Sequence, residues 1–156
     1  MSAKMQHSLD GLMAASELID EAATERAGEM LARSLNAGDF IGIDGELGAG
    51  KTSFVRGLAR GLAIDSQLVA SPTFVTMQSY EGGRLSLTHI DLWRIRTCDD
   101  LETLGWDELL ATARGVIVVE WASRIRAALP AQRIDIRIDF SGEGRTIEIT
   151  DQRSGC

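Results

Sequence analysis

Eight consecutive residues constrain this chain more than any other stretch: Gly45-Glu46-Leu47-Gly48-Ala49-Gly50-Lys51-Thr52, a complete G-x-x-x-x-G-K-[ST] string. The flanks supply the context such a string needs. Asp39-Phe40-Ile41-Gly42-Ile43-Asp44 reads as a short buried strand, and Thr52 to Leu62 reads as a helix with Phe54, Val55, Leu58, Ala59 and Leu62 on one face. Strand, glycine-rich turn and helix together make a P-loop. The glycines let backbone N–H groups close around phosphate oxygens, and the helix N-terminus adds the positive end of its dipole. Lys51 can reach the β- and γ-phosphates, and the Thr52 hydroxyl can ligate magnesium. The expectation is a phosphate site that takes ATP with magnesium. A glycine-rich loop without a ligand is the alternative, and the flanking strand and helix weigh against it.

Length limits what surrounds this motif. The 156 residues suit one domain, 1–156, with about the first 15 forming a loose N-terminal extension. An apolar fraction of 44% with 25% charged residues is that of a soluble globular protein. Apolar runs such as Val116-Ile117-Val118-Val119 are far too short to span a membrane, and Met1 to His7 lacks the features of a signal peptide. Cys98 and Cys156 show no metal or redox spacing, so a cytoplasmic location is expected. The formal charge of −7 argues against a general nucleic-acid coat but leaves open reaching RNA through a partner protein. Of 14 Arg and two Lys, an excess best ascribed to genome composition, only Lys51 sits inside a motif.

The remaining elements fit an α/β architecture: a P-loop NTPase three-layer fold with a mostly parallel central sheet and an antiparallel C-terminal hairpin. Asp20 to Leu35 predicts an amphipathic helix with Ala23, Ala27, Met30, Leu31 and Leu35 inward and Gly38 as its C′ residue. Thr73 to Ser79 and Arg84 to His89 read as strands joined by a turn at Glu81-Gly82-Gly83. Trp106 to Ala113 reads as a helix, Val116 to Glu120 as an apolar strand ending in an acid, and Ser123 to Leu129 as a short helix closed by Pro130. Ile134, Ile136, Ile138 and Phe140 alternate with polar residues up to Ser141-Gly142-Glu143-Gly144, and Ile147 and Ile149 alternate again, which is a hairpin.

Two acids stand at strand ends. Asp91 follows Leu85 to Ile90, and Glu120 follows the Val116 to Val119 run. A lone acid at such a place is ordinarily a solvated cap or turn residue. Parallel strands, however, deliver their C-terminal ends to the edge that carries the P-loop, where magnesium calls for a carboxylate. In Ser71-Pro72-Thr73-Phe74, Pro72 stiffens the turn that presents Thr73, whose hydroxyl can meet the γ-phosphate or the metal; an ST-type turn is the alternative. His89 reads as a hydrogen-bonded core or edge residue outside catalysis.

Taken in order, GELGAGKTS, SPTF, HIDLWRI, Asp99-Asp100-Leu101-Glu102 with Leu104-Gly105, and VIVVEWASR resemble the TsaE (YjeE) family of P-loop ATPases of tRNA threonylcarbamoyladenosine biosynthesis. The resemblance runs from about Leu18 to Thr150. Trp93 stands where that family more often has Tyr, and Ala122 where Pro is common; neither change removes an oxygen ligand. The resemblance implies a bacterial ATPase that assists a TsaD–TsaB complex in transferring a threonylcarbamoyl group to adenosine 37 of tRNA, without making the donor itself. It extends the nucleotide-binding stretch Gly45 to Thr52 to Ser53. It implies that Lys51 neutralises phosphate charge, that Thr52 and Glu120 hold magnesium, and that Asp91 orients the metal-bound water or nucleophile. Thr73 becomes a switch-like residue, Arg145 stacks on adenine, and Glu21 approaches the base.

Other classes are open to comparison. A small-molecule kinase needs an acceptor pocket and an Arg-rich lid, and here the Arg residues are dispersed. A GTPase needs N/T-K-x-D, and no Lys follows Lys51. A non-hydrolysing nucleotide-dependent scaffold shares every binding residue. With no evident arginine finger, hydrolysis by the chain alone is expected to be slow.

Overall fold

The structure is a computed structural model that describes residues 16–18, 20–70 and 77–153. Its centre is a seven-stranded sheet in the order β1-β7-β6-β2-β5-β4-β3. The strands are β1 (Ser16–Leu18), β2 (Phe40–Gly45), β3 (Met77–Tyr80), β4 (Leu87–Asp91), β5 (Val116–Glu120), β6 (Ile134–Ser141) and β7 (Gly144–Asp151). The four central strands β6, β2, β5 and β4 run parallel, while β1, β7 and β3 pair antiparallel at the two ends. Helices α1 (Glu21–Ala32) and α2 (Lys51–Gly61) cover one face; α3 (Cys98–Thr103), α4 (Trp106–Thr112) and a 3-10 segment over Ala122–Ala128 cover the other. This is the three-layer P-loop NTPase fold.

Alternation along the central strands explains the two cores. On β5, Val116 and Val118 face α1 and α2 while Ile117 and Val119 face α4; on β4, Leu87 faces the first layer and Ile90 the second. The first core joins Leu31, Phe54, Val55 and Leu58 to Ile41, Ile43, Val118 and Ile136, all buried. At about 1.5–3 kcal/mol per fully buried large apolar side chain, this face fixes α2, and with it the loop at its head. The second core centres on Trp106, edge-on to Phe40 at 5.9 Å, with its indole N–H donating to Ala128 O at 3.1 Å.

Several expectations need correction. Met30 is 45% exposed rather than inward, because α1 packs through Ala27, Gly28 and Leu31 and turns Met30 to the rim. Gly38 is not the C′ residue of α1: the helix ends at Ala32 with Arg33 as C-cap, and Gly38, at φ 90°, bonds its N–H to Gly115 O in the turn into β2. The strand expected at Arg84 begins at Leu87 and runs on to Asp91. The segment expected as a helix over 123–129 is 3-10, broken at Ile125 (φ −125°). Strand β1, three residues long, and helix α3, six, are too short for a periodicity to reveal them. Thr73 and the segment 71–76 lie outside the described residues, as do the first fifteen positions.

Candidate functional site

Six polar or charged side chains are buried among the described residues: Thr24, Lys51, Ser53, His89, Asp91 and Glu120. Burying such groups is costly without partners, so their gathering around one loop marks where the fold accommodates polar chemistry.

The loop follows β2. Gly50 closes it at φ 109°, a left-handed conformation that a side chain would strain, and Lys51 opens α2 directly afterwards. Leu47 at the loop's outer turn is exposed, whereas Ala49 is buried. Lys51 Nζ donates to Gly45 O and Glu46 O, both at 2.8 Å, and lies 4.2 Å from the centre of the Trp121 ring. Burial lowers the Lys51 pKa from its ordinary value, opposed by the nearby charges of Glu120, Asp91 and Asp44.

Strand register brings the acids to the same place. Asp91 is level with Glu120 across the β4–β5 pair, and Ile43 is level with Glu120 across β2–β5, so three parallel strands end together beside the loop. Alternation turns Glu120 to the same face as Val118, the face on which α2 packs. Thr52 Oγ1 stands 3.4 and 3.5 Å from the two Glu120 oxygens. Those separations are long for an O–H···O bond, so hydroxyl and carboxylate are neighbours that do not satisfy one another. Asp91 Oδ1 accepts from Trp93 N at 2.9 Å, which fixes the turn leaving β4.

Sequence reasoning passed over two groups here. His89 is a hydrogen-bonded core residue, as its position suggested, but its partner is the site acid: His89 Nε2 lies 2.5 Å from Glu120 Oε2. Period-two alternation in His89-Ile90-Asp91 already places His89 on the face of Asp91, and that signal was available. Trp121, next to Glu120, holds a left-handed backbone (φ 63°) unusual for a bulky residue, tied by its N–H to Ile43 O at 2.8 Å. Its ring lies 4.7 Å from that of Trp93, and the Arg124 guanidinium caps both.

On the other side of the loop, α1, the loop and the β6–β7 hairpin enclose a cleft of about 390 Å³ lined by Glu21, Thr24, Gly50, Ser53 and Arg145. Glu21 accepts from Ser53 Oγ at 3.0 Å and from Arg56 Nη1 at 3.3 Å. Arg145 donates from Nε to Ala49 O at 3.1 Å and lies over the Phe140 ring at 4.2 Å. Of the residues expected at the site, Gly45 to Ser53, Asp91 and Glu120 converge on the loop, and Glu21 and Arg145 meet at this cleft. Thr73 lies outside the described residues.

Fold and loop together define a member of the P-loop NTPase structural class. The family model described as "Threonylcarbamoyl adenosine biosynthesis protein TsaE" matches residues 18–147. A Bacillus subtilis relative named tRNA threonylcarbamoyladenosine biosynthesis protein TsaE is 40% identical over 120 residues, covering 77% of this chain and 73% of the relative. A Treponema pallidum relative of the same name is 38% identical over 127 residues, covering 81% and 91%. The crystal structure of YdiB from Bacillus subtilis is similar at a TM-score of 0.73, with 31% identity over 89% of this chain and 85% of that one. The chain belongs to the TsaE family.

Proposed function

We propose that this protein binds ATP with magnesium in the cytoplasm, hydrolyses it slowly, and thereby assists a TsaD–TsaB complex in threonylcarbamoylation of adenosine 37 in tRNA. The observation that carries the reading is the convergence of Lys51, Thr52, Asp91 and Glu120 at the aligned ends of β2, β4 and β5. Thr52 and Glu120 fit magnesium: both are hard oxygen donors, adjacent and not satisfied by each other. Among the described residues no group of three or more His, Cys, Asp or Glu is arranged to hold a metal. In a nucleotide complex the ion would take most of its ligands from phosphate and water. Bound there, magnesium would supply charge neutralisation at the phosphates.

The chain's own groups do the rest. Lys51 exchanges its bonds to Gly45 O and Glu46 O for phosphate oxygens, and the loop N–H groups cradle them. Asp91, buried beside Glu120, orients the attacking water. Arg145 and Glu21 line the cleft that receives the base. The net charge of −7 favours reaching tRNA through partner proteins rather than directly. No helix among the described residues is long and apolar enough to cross a membrane.

Reconstitution decides it: transferase complex, tRNA, threonylcarbamoyl donor and ATP, with and without this protein, reading modified adenosine per transferase and phosphate released. Repeated turnovers that need the protein and stall with Thr52→Ala support the proposal. Equal yields without the protein refute the assisting role. Assistance without phosphate release removes the ATPase and leaves a nucleotide-dependent scaffold.

A further inference from the structure

We propose that His89 is a positioning residue for Glu120, fixing the carboxylate for the metal-bound nucleotide; the inference rests on the metal–nucleotide reading above. Glu120 is 3% exposed and its side chain must be held in one orientation to serve a ligand at the loop. Thr52 does not hold it, since its hydroxyl is 3.4 and 3.5 Å away. His89 does, at 2.5 Å from Oε2. A carboxylate that serves a metal ion only accepts, so the role calls for the His89 tautomer in which Nε2 donates.

The surroundings leave His89 little other purpose. It is fully buried on β4, opposite Val118, and its Nδ1 has no hydrogen-bond partner among the described residues. An apolar side chain would fill that space without a buried unpaired nitrogen. What the imidazole adds is a single directed N–H aimed diagonally from β4 to the carboxylate two positions beyond Val118 on β5. Because β4 also carries Asp91 two residues on, one strand both places the second acid and orients the first.

Three substitutions test this by calorimetric titration of ATP with magnesium and with chelator. His89→Leu removes the N–H, His89→Gln keeps an amide N–H at a reach similar to Nε2, and His89→Asn carries one that falls short. Losing an outer-shell partner of a metal ligand typically costs about 10- to 100-fold in metal-dependent affinity. His89→Leu and His89→Asn are therefore expected to lose that much of the magnesium-dependent tightening while metal-free affinity stays unchanged; His89→Gln is expected to restore most of it. Glu120→Gln is the control. Should the parental protein bind ATP equally with and without magnesium, the metal reading and this inference fall together. Where parental tightening is present and Glu120→Gln abolishes it, full tightening in His89→Leu overturns the positioning role alone. Should His89→Leu fail to fold, the Gln and Asn variants decide, and indistinguishable behaviour of those two also overturns the role.

Discussion

Replacing Gly57 by Ala sets two physical effects against each other, and the structure determines the sign. Gly57 lies inside α2, where Ala is favoured over Gly by about 1 kcal/mol on helix propensity alone. Its Cα, however, faces α1. A Cβ placed there would stand 2.7 Å from the Glu25 carbonyl carbon, and closer still to its oxygen. The interface is built this way along its length: a Cβ at Gly28 would meet Leu58 N at 2.9 Å, and one at Gly61 would meet Glu29 O at 2.7 Å. Helix backbone cannot swing aside as a side chain can, so α1 and α2 would have to part. Overpacking of a fitted core costs about 1–3 kcal/mol, and rigid backbone opposite the new methyl puts this case at the upper end. Less the helix gain, Gly57→Ala is expected to destabilise by about 2 kcal/mol. For a domain of this size that lowers Tm by about 4–8 °C. Urea denaturation followed by circular dichroism measures it as a lower midpoint at unchanged slope. Parting the helices also draws Ser53 away from Glu21, so ATP affinity should weaken in the same variant. A midpoint at or above the parental value would refute close backbone packing as the reason for the glycine.

Lys51→Ala removes a charge-assisted phosphate contact worth about 1.5–3 kcal/mol, so ATP affinity by calorimetry is expected to fall about 10- to 100-fold; unchanged affinity would mean the loop is not a phosphate cradle. Glu120→Gln and Asp91→Asn are each expected to depress magnesium-dependent hydrolysis, with metal-free ATP binding better preserved; parental rates in both, with partners present, would remove these acids from the site. Arg153 joins Asp151 at the end of β7 to Asp39 before β2, with contacts of 2.6 and 2.8 Å, and also donates to Ser34 O. Burial pushes the Asp151 pKa up, but hydrogen bonds and charge from Arg153 outweigh it and hold the value below the usual 3.8. A carboxyl depressed in the folded state stabilises fully above its unfolded pKa and loses that contribution as pH falls through the folded value. Arg153→Met is therefore expected to cost about 2 kcal/mol near neutrality, with the difference from parental shrinking below pH 3.8 in acid unfolding titrations.

The parts of this molecule legible in the sequence are those where one periodicity rules a whole element. Phe54, Val55, Leu58, Ala59 and Leu62 repeat at helical spacing, and all five are buried. Val116 to Val119 form a continuous apolar run because β5 is covered on both faces. Met30 lies about 200° round the helix from Gly28, so it points away from the buried stripe of Ala27, Gly28, Leu31 and Ala32 that packs on α2. Strand β1 has three residues, too few for alternation to register, and exists because β7 offers it an edge. The 3-10 segment after β5 failed as a helix because Trp121 leaves the strand in a left-handed turn, and its helical bonding breaks at Ile125.

The site divides along the same line. Its loop half is local, since eight consecutive residues specify the loop, the lysine and the hydroxyl. The other half is assembled by register. Asp91 and Glu120 are 29 positions apart and become neighbours only because β4 and β5 pair in parallel with these two residues level. A shift of one residue in that pairing would turn one carboxylate away from the loop. His89 depends on the same register: displaced by one, its N–H would point into the opposite layer. The β2–β5 ladder therefore decides whether Glu120 meets the hydroxyl of Thr52, and the β4–β5 ladder decides whether Asp91 and His89 join them. The strand-end acids can be nominated from the sequence, and alternation puts His89 on the face of Asp91, but its contact with Glu120 exists only through the pairing of β4 with β5.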